Sequence, residues 1–426
     1  MMMDKVEIAQ SALQQMLHAG FHQAQVVVNV SEKTELNIAH DDASLLRSTE
    51  DHSLSLTGIL GGRKAGVTMT DLSEQALLSG VQDLLEKAAM APVDEANAVS
   101  VNEEGEFIQG PQEADLELLV AKAEELLSFR AKETPLMSIE EGVASHEITR
   151  SLLLTSRGST LSSSTGSYSL SALGSAREGD KNSAMNYSGG TANDLSIAHA
   201  AEFFYLGEMF RDTEKQIHTC QFEDKFQGDV ILAPEAVADL VSWLMRQLSD
   251  MALIGKNSLY LDSVGKMIAS PLLTLNSRFN GPGCDPVTAD GFAAPDFSLV
   301  DKGELKSLLA SHYGSKKTGI PHRPCASGWT VLPGRASLED MIADISQGAL
   351  VNRLSMGSPG PSGDFSGVIK NSFMIRDGKH GGALSETMIA GNMGAMLKDI
   401  KAISAEHMDT GSQDFPWITI GGLYFS

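Results

Sequence analysis

The sequence predicts an α+β protein of two or three domains. Its 426 residues exceed the length that one hydrophobic core usually organises. A composition of 42% apolar and 6% aromatic residues is typical of a folded globular chain. Segments with helical and with strand periodicity follow one another. We expect an N-terminal α+β domain with its linker over 1–112, a central α+β segment over 113–225, and a strand-rich C-terminal domain with one long helix over 226–426.

The N-terminal region is predicted to combine two helices with a few strands. Gly20 ends the first helix, whose apolar residues recur at close to helical period. Gly61 and Gly62 form a hairpin turn between two strands, and Asp71 or Ser73 caps the second helix. The predicted elements are a helix over 4–19, strands over 25–31, 53–60 and 64–69, a helix over 74–89 and a linker over 91–114.

The central segment is predicted to start with an amphipathic helix and to continue mainly as strands. Its serine-rich run alternates small polar with apolar residues, which suits an antiparallel sheet with one wet face better than a disordered linker. The predicted elements are a helix over 115–130, strands over 137–139, 146–155 and 159–172, and a second helix over 194–215.

The C-terminal region is predicted to hold one long helix among short strands. An apolar strand ends at Ala233 and runs into a helix over 234–248. Pro234 opens this helix, where its missing N–H would be unpaired in any case. Ser337 is the predicted N-cap of a smaller helix over 337–347.

An ordered series of short motifs runs through the C-terminal region, and together they are specific. They are LYLDSVGK (259–266), GCD (283–285), TxDG (288–291), VDKGxL (300–305), YxSxKTG (313–319), TVLPG (330–334), GDFSG (363–367) and IAGN (389–392). Looser matches are GILGGR (58–63), TxTDLS (68–73) and NxxxN (182–186). With these motifs the chain resembles the TldD/PmbA family of peptidases, also called modulators of DNA gyrase or peptide maturation proteins. Within it the chain resembles the PmbA (TldE) branch, which lacks the zinc motif.

The resemblance implies a lost zinc site at the start of the long helix. Zinc-binding relatives carry His-Glu-x-x-x-His there, with a cysteine near the C-terminus as third ligand. Here Pro234 and Asp239 stand at the histidine positions, Glu235 remains, and residues 406–413 contain no cysteine. A zinc site needs three protein ligands and an open position. We therefore expect these three residues to be degenerate motif positions, with no catalytic, cofactor or metal role in this chain.

Two interpretations of Glu235 can be weighed from the sequence. It could be a remnant general base, or an acidic residue favoured in the first helical turn by the helix dipole. The second is preferred because a base without a metal-bound water has no nucleophile to activate.

Other candidate sites are weaker. His218 with Cys220, and His322 with Cys325, have metal-ligand spacing, but each pair lacks a second pair nearby in sequence. No Gly-x-Ser-x-Gly nucleophile elbow follows a buried strand. The cysteines are too few for a disulfide framework, so we expect Cys220, Cys284 and Cys325 to be reduced.

Charge and hydropathy limit the function classes. The net charge is -23 and no cluster of cations could displace phosphate counterions, so nucleic acid is not an expected partner. No apolar run approaches the length of a membrane span, and the amphipathic start differs from a signal peptide. We expect a cytoplasmic protein.

The resemblance implies a metal-free subunit of a TldD/TldE-like peptidase complex that acts on unfolded or small peptides. A TldD-type partner would contribute the zinc, and C-terminal domains would enclose an inner chamber. The alternative is a stand-alone homodimer that binds peptides without cleaving them. An independent enzyme with another chemistry is a third possibility. Edge-strand addition of a peptide would provide main-chain recognition in either peptide-binding case.

Overall fold

Two large β-sheets organise the chain in a computed structural model that describes residues 5–325, 327–357 and 359–426. The protein is 24% helix and 44% strand, and the topology is mixed rather than a regular β-α-β alternation. This confirms the α+β class that the sequence predicts. None of the described helices is long and apolar enough to cross a membrane.

The first sheet has the strand order β3-β2-β1-β5-β6-β4, and β7 and β8 also pair with β6. Its elements and their helices are α1 (Lys5–His18), β1 (Gln23–Ala39), β2 (Asp42–Leu60), β3 (Arg63–Met69), α2 (Glu74–Met90), β4 (Glu104–Gln109), α3 (Leu116–Glu133), β5 (Met137–Thr155), β6 (Thr160–Glu178), β7 (Lys181–Asn182), β8 (Asn186–Ala192), a 3-10 helix (Phe203–Tyr205) and α4 (Leu206–Lys215). The regions 1–112 and 113–225 thus contribute strands to one sheet, and the predicted boundary between them stays a prediction.

The serine-rich run forms most of β6, as its alternation predicts. Tyr168, Leu170 and Ala172 are buried in a core with α3 and α4, whereas the serines between them lie on the opposite face. Successive strand residues point to opposite sides, so one face of this strand is apolar and the other polar.

Three local predictions were wrong. The strands predicted over 137–139 and 146–155 are one strand, β5, whose register shift between Ile139 and Glu141 obscures the alternation. The predicted linker over 91–114 contains β4, a strand too short and polar to stand out. The helix predicted over 194–215 begins only at Leu206, because Phe204 and Tyr205 have φ of 53° and 55°, which a right-handed helix excludes.

The second sheet contains the C-terminal strands around β22, which pairs with β10, β14, β20 and β21. The elements are β9 (Thr219–Cys220), β10 (Phe226–Leu232), α5 (Pro234–Leu248), α6 (Asp250–Ile254), β11 (Leu275–Arg278), β12 (Ser298–Asp301), β13 (Glu304–Leu305), α7 (His312–Thr318), β14 (Gly328–Val331), α8 (Leu338–Ala343), β15 (Gln347–Val351), β16 (Arg353–Met356), β17 (Asp364–Lys370), β18 (Phe373–Arg376), β19 (Lys379–Leu384), β20 (Thr387–Asn392), α9 (Met393–Lys398), β21 (Ile400–Asp409) and β22 (Gln413–Phe425).

The long helix α5 has the predicted bounds and packs on β22. Trp243, Leu244 and Leu248 are among its residues in the largest hydrophobic core. Ser337 caps α8 through a hydrogen bond from the Asp340 N–H, as predicted, although α8 ends at Ala343 rather than near residue 347.

Hydrogen bonds join the two sheets directly. The N–H of Thr191 on β8 donates to the Thr410 carbonyl at 3.0 Å, and its hydroxyl donates to the Pro282 carbonyl at 2.9 Å. Farther away, the Tyr313 hydroxyl donates to Asp94 at 2.8 Å. The junction of the sheets is therefore held by specific polar contacts, and it contains the candidate site.

Candidate functional site

A cavity of about 250 Å³ lies at this junction, at the start of α5. Residues of β8 and α4 form one side, and residues of the C-terminal sheet form the other. Apolar side chains make up much of its wall: Met209, Leu338, Ile342, Leu350, Met408 and Trp417. Such a mostly apolar concavity with a few polar groups is typical of a ligand site.

Two of the degenerate motif residues line this cavity. Pro234 occupies the first turn of α5, and Glu235 follows it. The N-cap Ala233 makes no side-chain cap, but its carbonyl accepts from the Val237 N–H at 2.9 Å. Pro234 therefore suits the helix start and offers no side-chain atom that could bind a metal.

Glu235 forms an ion pair with Arg353, the first residue of β16. The Arg353 Nη2 lies 2.9 Å from the Glu235 carboxylate. The side chains of Arg353 and Glu235 are only 15% and 31% exposed, respectively. Burial raises the pKa of the Glu235 carboxyl, and the charge and hydrogen bond of Arg353 oppose this rise. The one retained motif residue is thus engaged by a cation.

Contacts with β8 hold the Arg353 guanidinium in place. Its carbon lies 3.3 Å from the centroid of the Tyr187 ring, and Nη2 donates to the Tyr187 carbonyl. Its Nε donates to the Asn186 Oδ1 at 3.4 Å, and the same oxygen accepts from Asn371 at 2.9 Å. Because β8 belongs to the first sheet, this arginine connects that sheet to the start of α5.

The third motif position, Asp239, does not line the cavity. Five residues along a helix correspond to a rotation of about 140°, so Asp239 and Pro234 lie on different faces of α5. Burial raises the pKa of the Asp239 carboxyl, against the opposing charges of Arg246 and Arg353. The structure therefore brings Pro234 and Glu235 together in the cavity and leaves Asp239 outside it.

The C-terminal stretch 406–413 does reach the cavity, through Met408. Its neighbours have other partners: His407 binds Asp414, and Asp409 accepts two hydrogen bonds of 2.6 Å from Arg278. The stretch thus lies close to the start of α5, as the resemblance implies. The side chain that it contributes to the cavity is the thioether of Met408 and not a cysteine thiol.

The residues at this site do not fit a zinc ion. Zinc prefers thiolate, imidazole and carboxylate ligands, whereas the motif positions and the C-terminal stretch bring a proline, a thioether and a carboxylate paired with arginine to the cavity. Two other carboxylates of the lining also have cations beside them, since Glu208 pairs with Arg211 and Asp212 with Lys215. Within 5–325, 327–357 and 359–426, no three His, Cys, Asp or Glu side chains form a group suited to a metal.

The residues of the two pairs with metal-ligand spacing have various contacts. His218 binds Glu178 at 2.6 Å, whereas the Cys220 thiol donates to the Ala383 carbonyl at 3.3 Å. The His322 ring packs against Phe292 at 4.4 Å between centroids. All three cysteines, Cys220, Cys284 and Cys325, are free thiols in the structure.

A charged wall of the cavity was missed by sequence reasoning. Asp212 and Lys215 on α4 form an ion pair at 2.9 Å, and His380 of β19 lies nearby in the lining. Burial raises the pKa of Asp212, with Lys215 opposing, and burial together with Lys215 lowers the pKa of His380. Asp212 and Lys215 lie three residues apart on α4, but His380 is distant in sequence, so no local spacing could have joined it to them.

Solved structures share this architecture along the whole chain. TldE from Thermococcus kodakarensis superposes with a TM-score of 0.83 at 18% identity, covering 98% of this chain and 100% of that one. A Bacteroides thetaiotaomicron protein described as a putative modulator of DNA gyrase superposes with a TM-score of 0.85 at 22% identity, and both chains are covered completely. Both solved structures therefore share the fold of this chain.

Sequence comparison identifies the family. Residues 226–426 match the sequence model described as PmbA/TldA metallopeptidase C-terminal domain. Metalloprotease PmbA of Escherichia coli O157:H7 is 24% identical over 94% of this chain and 92% of its own length. A metalloprotease PmbA homolog of Haemophilus influenzae is 24% identical over 85% of this chain and 84% of its own length. Residues 226–426 thus match the C-terminal domain of this family, and the comparisons confirm the resemblance to the TldD/PmbA/TldE family seen in the motifs.

Proposed function

We propose that this chain is a metal-free, PmbA/TldE-type subunit of a TldD/TldE-like metallopeptidase complex that processes or degrades unfolded or small peptides. The observation that carries the proposal is the Glu235–Arg353 ion pair beside Pro234. A guanidinium at 2.9 Å from Glu235, the one retained motif residue, opposes a second cation there by charge repulsion. The zinc and its chemistry would come from a TldD-type partner.

The cavity supports a role in holding peptide rather than in cutting it. Its apolar wall, with Met209, Leu350 and Trp417 among its residues, would shield an apolar side chain from water. Asp212 and His380 on the charged wall could orient polar groups of the same peptide. Binding of this kind needs no nucleophile in this chain.

The first test measures metal content and activity together. After mild dialysis we expect no stoichiometric zinc, and the isolated chain should not hydrolyse an unfolded peptide such as casein. Addition of a TldD-type partner should give cleavage that a chelator abolishes. The Glu235→Gln variant should support cleavage as the wild type does, and Asp262→Asn on an exposed loop is the matched control. One zinc per chain, or cleavage by the isolated chain that Glu235→Gln abolishes, would contradict the proposal.

The second test concerns assembly with that partner or with itself. A chain of net charge -23 needs apolar contacts to overcome its self-repulsion. Lasting interfaces bury about 1,200–2,000 Å² or more, so a dimer should persist at high salt, where charge-driven contacts weaken. Light scattering during gel filtration would measure the mass at low and high salt. A mass of 45.4 kDa under both conditions would eliminate the homodimer and leave assembly to a different subunit.

A further inference from the structure

A hydroxyl-lined trough runs along the open face of the first sheet, apart from the cavity at Glu235. Alternate residues of β6 form its floor: Ser163, Thr165, Ser167, Ser169 and Ser171. The first stretch of the trough is a concavity of about 500 Å³ beside the first four of these residues, and its second stretch is a neighbouring concavity of about 660 Å³ beside Ser171. The second stretch shares Tyr187 and Ser188 with the cavity at Glu235. The second stretch therefore ends beside β8, the strand that also lines the candidate site.

Neighbouring strands extend the polar floor. In the β5–β6 register, Ser151 lies opposite Ser163 and Thr149 lies opposite Thr165. Thr149 already shares a 2.7 Å hydrogen bond with Ser31 of β1. The loop that carries Gly283, Cys284 and Asp285 forms a wall. Polar groups thus cover three adjacent strands.

Several floor hydroxyls have unused hydrogen-bonding capacity. Ser163 is only 7% exposed, it lines the trough, and its hydroxyl has no hydrogen-bond partner within the described part of the chain. The hydroxyls of Thr165, Ser167 and Ser169 likewise have no partner among the described residues. Each of these four hydroxyls is still reached by solvent, so a ligand with polar groups could replace the water there with direct hydrogen bonds.

The trough is also negatively charged. Glu147 and Asp285 line the first stretch and Glu141 lines the second, and none of them is ion-paired within the described ranges. Lys33 lies opposite Glu147 in the β1–β5 register, but its ammonium pairs with Glu35 at 2.6 Å. Charge complementarity therefore favours a cationic ligand over an anionic one.

We propose that this trough binds an extended, uncharged or basic polypeptide segment along β6. Alternate residues of an extended chain repeat every ~6.8 Å, and so do alternate side chains of a strand. The hydroxyls from Ser163 to Ser171 cover about 27 Å on this repeat and could bond main-chain groups regardless of sequence. The proposal rests on the proposed function for its class of ligand, because a peptidase subunit needs a path that leads unfolded chain to the site.

The lining favours a peptide over a saccharide. Sugar sites usually have an aromatic ring against the sugar face. Among the described residues that line the first stretch of the trough, none is aromatic. The hydroxyl lining also matches main-chain recognition, which alternates donors and acceptors along an extended peptide.

The test is fluorescence anisotropy with the full chain alone and labelled Gly/Ser peptides of about twelve residues, long enough to span the trough. One peptide contains lysines and its matched counterpart contains glutamates. The triple variant Thr165→Val, Ser167→Ala, Ser169→Ala should weaken binding of the lysine peptide about tenfold, since each net hydrogen bond contributes modestly. Ser162→Ala, on the same strand but the opposite face, should bind as the wild type does. Thermal melts of both variants show that the fold is retained.

Charge is tested separately with Glu147→Gln, a substitution at an exposed position. The wild type should bind the lysine peptide at least about threefold tighter than the glutamate peptide. In Glu147→Gln the ratio of the two dissociation constants should be smaller. Wild-type affinity of the triple variant, equal binding of both peptides, or displacement of the lysine peptide by maltohexaose would overturn the proposal.

The trough and the proposed function can fail separately. If the trough variants lose peptide binding while a TldD-type partner gives no cleavage, the trough stands and the proposed function fails. If the partner does give cleavage, and the trough variants change neither that cleavage nor peptide binding, the proposed function stands and the trough fails.

Discussion

Replacement of Arg353 by methionine should destabilise the protein in a pH-dependent manner. Methionine keeps much of the apolar length of the arginine side chain but removes its charge. Glu235 would then be a buried carboxyl without its cation, and the contact with the Tyr187 ring would weaken. Removal of one partner from a fully buried ion pair costs about 3–5 kcal/mol. Because Arg353 and Glu235 keep 15% and 31% of their side-chain surface exposed, we expect about 2 kcal/mol near neutral pH.

The sign of the pH dependence follows from the raised pKa of Glu235. The folded chain keeps the Glu235 proton to a higher pH than the unfolded chain does. The stability from this group is therefore fully present below the unfolded pKa and is lost as the pH rises through the folded pKa. Arg353 lowers the pKa of Glu235 in the folded chain. Removal of Arg353 would therefore raise that pKa further, so the folded chain would keep the proton to a still higher pH. Arg353→Met should consequently cost more at about pH 7.5 than at about pH 5.

Urea unfolding at these two pH values is the assay, with Glu235→Gln and the double variant completing a thermodynamic cycle. The double variant lacks the titrating group, so its destabilisation should be nearly independent of pH. We expect a coupling free energy of about 1–2 kcal/mol between the two positions at the higher pH. Equal destabilisation by Arg353→Met at both pH values, or zero coupling, would refute the reasoning.

Three further predictions concern the scaffold. Trp243→Ala should lower the unfolding free energy by about 3–5 kcal/mol, measured by urea unfolding, because Trp243 is 1% exposed in the main core. Gly348→Ala should cost about 2–3 kcal/mol, since a Cβ there would lie 1.9 Å from the Asp229 carbonyl oxygen, whereas Gly66→Ala, with 3.7 Å to its nearest atom, should change stability little. Hydrogen bonds from Lys317, the Ala96 N–H and the Tyr313 hydroxyl together lower the pKa of Asp94 to about 2. The stabilisation from Asp94 is therefore present above its ordinary pKa of 3.8 and is lost as the pH falls toward 2, so Asp94→Asn should flatten the acid side of a melting-temperature profile.

Periodicity predicted those parts of the fold in which local sequence decides the structure. The helix over 234–248 and the Gly61-Gly62 hairpin have the predicted places, because spacing of apolar residues and turn glycines act within a short segment. The late start of α4 depends on positive φ at Phe204 and Tyr205. Tertiary packing imposes such angles, and no local pattern indicates them.

In the candidate site too, local sequence indicates some residues and only the folded chain reveals others. The positions Pro234, Glu235 and Asp239 could be recognised from the sequence by their family pattern, and the structure places the first two in one cavity. Arg353, which determines the electrostatic state of Glu235, is distant in sequence and lies beside no motif. Long-range pairings of this kind require the folded topology.

The ion pair between Arg353 and Glu235 has an evolutionary consequence. A reversal of Pro234 to histidine alone would place a new ligand beside a guanidinium that already neutralises the only retained motif carboxylate. Zinc affinity would return only after Arg353, Asp239 and a residue near Met408 had changed as well, and the intermediates would lose the ion pair before gaining a metal. Selection for catalysis would therefore meet a barrier of several simultaneous substitutions, so a loss of the zinc motif, which the resemblance implies for this chain, is expected to behave as a one-way step.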